Sequence, residues 1–167
     1  TGNAAAVVLV DSTGNYWDRM IVPETILMAL AHFGIPHRLH DIADGLDAAT
    51  LHDAAVILIA QCRLMEHLTA AQAKTIAAAV EAGTGLVNVD SELRNAPQPL
   101  LDLFGFARIN PHPACSNALR IRETKHPIIA QQPPGEYHHL DRMVTTILPG
   151  TYGRHVTPLA EILLGKE

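Results

Sequence analysis

Asp90, Ser91 and Glu92 follow directly on the apolar run Leu86-Val87-Asn88-Val89, and three consecutive polar residues in that position are candidates for chemistry. Carboxylates so placed can orient a ligand, hold a cation or move a proton, and carboxylate pairs are what glycoside chemistry uses. Two further runs end in the same manner. Asp11 and Ser12 close Ala4 to Val10, and Gln61 closes Ala54 to Ala60. Asp90, Glu92 and a downstream histidine, His126, are therefore the candidate catalytic residues. Asp11, Ser12, Gln61 and Ser91 are the candidate ligand-binding ones. The competing reading of Asp11, Asp90 and Glu92 is as solvated strand ends and helix caps.

The elements that must position these residues are legible nearby. Thr69 stands where an N-cap is wanted, with Gln72 three residues on as a capping box. Ala70, Ala73, Ile76, Ala77 and Val80 recur at helical spacing. Gly83 is placed to end that helix in a left-handed cap, and a buried strand follows from Leu86. Upstream, Ala4 to Val10 reads as the first strand, Pro23 as the first residue of a helix running to Phe33, His37 to Ile42 as a second strand, and Leu46 to His52 as a short helix or turn. Ala54 to Ala60 is the clearest strand. This alternation implies a flavodoxin-like α/β fold, a doubly wound and mostly parallel sheet with right-handed crossovers. With strand order 2-1-3-4-5, Asp11, Gln61 and Asp90 would share one rim, and ligands bind beyond the carboxyl ends of such strands. Asp11 and Asp90 would then lie roughly 10 Å apart at the backbone.

Beyond Glu92 the pattern changes. Pro97 to Phe104 reads as a short helix, Ala107 to Asn110 as a strand, PHPAC as a turn and Asn117 to Glu123 as an edge strand. Lys125 to Ile129 begins a new short element, QQPPGEYHHLDR is a polar loop, and Val144 to Leu148 and Pro158 to Leu164 are further strands of more antiparallel character. The whole, residues 1–167, is expected to be a single α/β domain. PLAEILLGKE reads as a hairpin strand lacking its partner, which fits a fragment of a larger protein, a natural terminus being the alternative.

At 48% hydrophobic and 17% charged residues the composition is that of a globular chain with a sizeable core. A net charge of −5 with no basic run argues against nucleic acid or an anionic membrane as partner. No apolar run is long enough to span a bilayer, so a soluble protein of unfixed compartment is expected. Cys62 and Cys115 show no paired spacing that would indicate a zinc knuckle or a disulfide framework.

The stretch LTAAQAKTIAAAVEAGTGLVNVDSEL, followed some thirty residues later by KHPII, resembles the class I glutamine amidotransferase-like superfamily. Within it the sequence is most similar to the ThuA-like (trehalose utilisation) proteins and to the trimerisation domain of bacterial β-galactosidases, over Val56 to Ile129. The resemblance implies a carbohydrate link and an oligomer or a multidomain chain. In catalytic members a cysteine occupies the turn after the central strand, and here that position is Asp90. Glutamine hydrolysis needs a thiolate to form a thioester, and neither Cys62 nor Cys115 follows that strand, so glutaminase activity is rejected.

Ser91 lacks the Gly-x-Ser-x-Gly setting of a hydrolase elbow. His126, in His-Pro-Ile, suits a structural turn as well as a proton carrier. His138 and His139 are adjacent in a presumed loop, and the remaining histidines carry no ligand spacing, although ten of them leave room for a divalent metal site assembled by folding. Ser12-Thr13-Gly14-Asn15 resembles the FMN phosphate loop of flavodoxins, with Tyr16 and Trp17 as flanking aromatics. Against it, the helix is not expected to begin directly after that loop. A receiver domain would need an acid where Gln61 stands, and Gly83-Thr84-Gly85 precedes its strand, unlike a dinucleotide fingerprint. Three functions follow: an accessory or oligomerisation domain needing no cofactor in a carbohydrate-related protein, a hydrolase or other enzyme acting on a sugar or small polar substrate through Asp90 and Glu92, and an FMN-binding protein.

Overall fold

The structure is a computed structural model that describes residues 5–90, 92–122, 125–131, 133, 135, 137–153 and 156–162. Two compact units divide the chain, Thr1–Leu103 and Phe104–Glu167.

In the first unit a parallel four-stranded sheet is built from β1 (Ala5–Val10), β2 (His37–Asp41), β3 (Ala54–Ile59) and β4 (Gly85–Asn88), in the order β2-β1-β3-β4. The first four positions of the expected order are thus present. Among the described residues no fifth strand joins this sheet. Val7, Val8 and Leu9 of β1 and Ile57 and Ile59 of β3 are fully buried, as apolar runs in a sheet covered on both faces should be. Each such side chain contributes about 2 kcal/mol of transfer free energy.

Helices α3 (Ala48–Leu51), α4 (Leu64–His67), α5 (Ala70–Glu81) and α6 (Gln98–Leu103) connect or follow these strands. The capping box of α5 is complete: Thr69 Oγ1 accepts from Gln72 N–H at 3.2 Å, and Gln72 Oε1 accepts from Thr69 N–H at 2.9 Å. Ala73 and Ile76 are its buried face, and Gly83 ends it at φ +110°.

The first crossover departs from expectation. Its helical run begins at α1 (Tyr16–Ile21), continues as a π-helical segment over Val22–Leu27 and ends as α2 (Met28–His32). Asn15 is the N-cap, its Oδ1 accepting from Asp18 N–H at 3.0 Å. Pro23, expected as the first helical residue, lies inside the run instead. It has no N–H to offer the Arg19 carbonyl four residues back, and Val22 N–H donates to that carbonyl in its place. Thr25 Oγ1 likewise donates to the Ile21 carbonyl.

The second unit is an antiparallel three-stranded sheet of β5 (Phe106–Ile121), β6 (Tyr137–Tyr152) and β7 (Ala160–Ile162), in the order β6-β5-β7. Several expectations are corrected here. PHPAC is no turn but part of β5, with Pro111 inside a register shift between Ile109 and Pro113 and Pro113 where pairing resumes opposite Ile147. Residues 117–121 belong to the central strand rather than an edge strand, with Glu123 outside the described residues. The Tyr-His-His-Leu-Asp-Arg part of the presumed polar loop belongs to β6. His138 pairs with Leu119, and its Nε2 is shielded from solvent without a partner among the described residues. The strand expected to lack a partner, β7, pairs with β5: Ile121 lies opposite Ala160, and Arg120 and Arg122 both pair with Glu161.

Candidate functional site

Strand β1 delivers Asp11 to the rim of the parallel sheet, where it is 2% exposed. The main chain of Asp11 is clamped to the end of β3 by one side-chain amide: Asp11 N–H donates to Gln61 Oε1 at 2.9 Å, and Gln61 Nε2 donates to the Asp11 carbonyl at 3.1 Å. Gly14 makes the clamp possible, because a Cβ there would meet Gln61 Nε2 at 2.9 Å and the Asp11 carbonyl at 3.3 Å.

The Asp11 carboxylate is held by side chains as well as backbone. Oδ1 accepts from the Thr13 amide at 2.8 Å and the Thr13 hydroxyl at 2.6 Å, while Oδ2 is hydrogen-bonded to Nδ1 of His67. Burial pushes its pKa upward, but the hydrogen bonds from Thr13 and His67 and the charge of His67 outweigh it, so Asp11 sits below the ordinary carboxylate value. An ionised carboxylate accepts, so His67 donates to it from Nδ1 and the Nε2 side of the ring is turned away from Asp11. Among the described residues no group bonds to Nε2. The His67 side chain is 38% exposed. It faces a cavity of about 200 Å³ shared with Asp11, Thr13, Thr69 and Gln72.

His67 was not singled out by its sequence context, since its partner lies 56 residues away. It ends α4, a one-turn helix entered through Arg63 in the left-handed conformation at φ +62°. Asp90 holds that entry. Its Oδ1 accepts from Arg63 N–H at 3.0 Å and Glu92 N–H at 2.9 Å, and its Oδ2 from Met65 N–H at 3.3 Å. Its own N–H donates to Asn88 Oδ1 at 3.0 Å. Burial nonetheless raises the Asp90 pKa against those three bonds. Asp90 therefore sets the β3–α4 turn that carries His67, and its carboxylate faces main-chain donors.

The other candidates are dispersed. Glu92 pairs with Arg94 at 3.0 Å and lines a polar cleft of about 470 Å³ with Arg63, Glu66 and Asn95. His126 is in the second unit, where its Nδ1 accepts from Ile128 N–H at 3.3 Å. Ser91 lies outside the described residues. Ser12 is exposed, and its N–H donates to Asp41 Oδ1 at 3.2 Å. The Cys62 thiol is pushed up to about 11 by burial and by Asp90 and Asp18, which leaves it a poor nucleophile at neutral pH.

The loop after β1 does not fit an FMN phosphate. The helix does begin directly after it, contrary to expectation, but its amides are already committed: Ser12 to Asp41, Thr13 to the Asp11 carboxylate and Gly14 to the Asp11 carbonyl at 3.3 Å. A phosphate there would also meet two carboxylates, for Asp41 too is held below its ordinary value, its burial outweighed by bonds from Ser12 and Ala43. Among the described residues no three His, Cys, Asp or Glu side chains gather as a metal site, and no helix is long and apolar enough to cross a membrane.

No family model and no curated protein matches this chain. One solved structure does, a crystal structure of a protein from Bacteroides uniformis described as ThuA-like. The likeness has a TM-score of 0.71 at 12% identity and covers 96% of this chain and 68% of that one. The chain thus has the α/β fold of that ThuA-like protein.

Proposed function

We propose that this chain is a carbohydrate-related domain in which the β1–β3 rim binds a small hydroxylated ligand and the Asp11–His67 pair moves a proton on it. The observation that carries this reading is the pair itself: a buried carboxylate orients a partly exposed imidazole through Nδ1, and the second ring nitrogen has no partner among the described residues. That is the division of labour by which a carboxylate orients a general base in hydrolytic enzymes. Thr13, Thr69 and Gln72 line the surrounding cavity, and although their donors are engaged within the protein their oxygens can still accept from sugar hydroxyls. The carbohydrate class itself comes from the ThuA-like neighbour and from the sequence resemblance.

A thermal-shift screen of free sugars and glycosides against the intact chain tests this, followed by turnover assays on any stabilising compound. His67→Ala should reduce turnover by about 10²–10⁴-fold while leaving the melting temperature within a few degrees. A compound that is turned over equally well by the variant would remove the dyad from the mechanism.

The accessory or oligomerisation reading retains an observation of its own. Among the described residues strand β4 is an edge of its sheet, and Val87 within it and Val89 just beyond it are 46% and 50% exposed, apolar surface of the kind that pairs with another chain. Sedimentation over a concentration series should then show self-association that Val89→Lys abolishes. A monomer at every concentration would end that reading for homo-oligomers.

A further inference from the structure

Asp11 borders a second cavity, of about 400 Å³, whose lining is predominantly hydrocarbon and includes Tyr16, Met20, Val22, Leu27 and Leu39. Its wall is built by the irregular part of the first crossover. The π-helical segment Val22–Leu27 contributes residues from both its ends, and π segments recur at functional sites because they re-aim side chains at the expense of regular helical bonds. Tyr16 is 56% exposed, with the 81%-exposed Trp17 ring against it edge-on at 5.4 Å. An apolar cavity of about 150 Å³ already accepts a benzene ring, so this one has room for a substituted ring or a short alkyl chain.

We infer that this cavity is a second subsite, taking an aryl or alkyl substituent of the ligand whose polar part meets His67. Asp11 is common to both cavities, which makes the ligand an aryl or alkyl conjugate of a hydroxylated compound rather than a free sugar. This rests on the rim reading given above, and the test separates the two.

The intact chain is titrated with benzyl alcohol, phenyl β-D-glucopyranoside and methyl β-D-glucopyranoside, reading the fluorescence of Trp17, the one tryptophan, and ligand-observed NMR. Benzyl alcohol should bind saturably. Leu39→Glu, which puts a charge on a half-exposed wall position of an edge strand, and Leu39→Phe, which narrows the space without charge, should each weaken that binding, and His67→Ala should leave it unchanged. The phenyl glucoside should bind about tenfold or more tightly than the methyl glucoside, with the advantage reduced in both Leu39 variants and both ligands weakened by His67→Ala. Absent benzyl alcohol binding, or binding indifferent to both Leu39 variants, overturns the subsite whatever happens at His67. Benzyl alcohol behaving as expected with glucosides indifferent to His67→Ala supports the apolar subsite and overturns the rim reading.

Discussion

Asp11 and Asp90 end two strands of the same sheet, separated by β3, and both are nearly sealed from solvent at 2% and 3% exposure. Their partners divide them. Asp90 spends its oxygens on three main-chain N–H groups, those of Arg63, Met65 and Glu92. Asp11 bonds one residue of its own loop and a partly exposed histidine. The shifts follow: burial wins at Asp90 and raises it, while the hydrogen bonds and the imidazole win at Asp11 and lower it. A buried strand-end acid is thus architecture when it faces amides and a chemical candidate when it faces a side chain open to solvent. The two are also in series, because Asp90 fixes the turn that presents His67 to Asp11.

The largest effect should come from breaking the architectural member. Asp90→Ala leaves three amide donors without their acceptor, and at about 1–3 kcal/mol per unsatisfied buried group the loss should reach about 3–5 kcal/mol after partial access of water. Urea denaturation of wild type and variant measures it. A loss below about 1 kcal/mol would show that the turn is held by something other than Asp90. Asp90→Asn should fall between the two, since its NH₂ group would confront an amide donor.

How far the sequence disclosed this contrast depends on the range of the interaction that makes it. The capping box of Thr69 and Gln72, the Gly83 stop, the order of the parallel strands and the rim positions of Asp11, Gln61 and Asp90 were legible, because each rests on local spacing or on the alternation of strand and helix. The helix start was not. Pro23 is a strong N1 signal, but the pair Asn15 and Asp18 is a cap spaced like Thr69 and Gln72, and the helix starts there, its run passing through a π segment around Pro23. The prolines of PHPAC suggested a turn, yet a long antiparallel strand accommodates them at a register shift. His67 carried no local signal, and only the folded chain brings it to Asp11.

A smaller effect should follow from disturbing the clamp rather than either acid. Gly14→Ala places a methyl 2.9 Å from Gln61 Nε2 and 3.3 Å from the Asp11 carbonyl. The amide must rotate away and loosen two buried hydrogen bonds, for a loss of about 1–2 kcal/mol. If Asp11 is the chemical member, turnover should fall more than this destabilisation alone accounts for, because the carboxylate loses its fixed relation to His67. Stability lost with turnover per folded molecule intact would instead assign the clamp to architecture alongside Asp90.

The pH dependence of stability separates the two acids most delicately, because their linkage has opposite signs. Asp11 has a folded pKa below its unfolded value of 3.8, so the folded state binds fewer protons in the interval between the two. The stability it contributes is fully present above 3.8 and is lost as the pH falls through its folded pKa. Asp90 has a folded pKa above 3.8, so its contribution is fully present below 3.8 and is lost as the pH rises through its folded pKa. In wild type the two contributions meet near 3.8, that of Asp11 rising with pH below it and that of Asp90 falling above it, and subtracting variants isolates each. The stability of wild type minus that of Asp11→Asn should grow with rising pH across the acid limb and then level off. Wild type minus Asp90→Asn should shrink with rising pH above 3.8 before levelling. Denaturant titrations at closely spaced pH values give both differences. Parallel slopes would mean that the two acids share one environment, and the distinction between an acid that builds the rim and an acid that works on it would then lose its electrostatic basis.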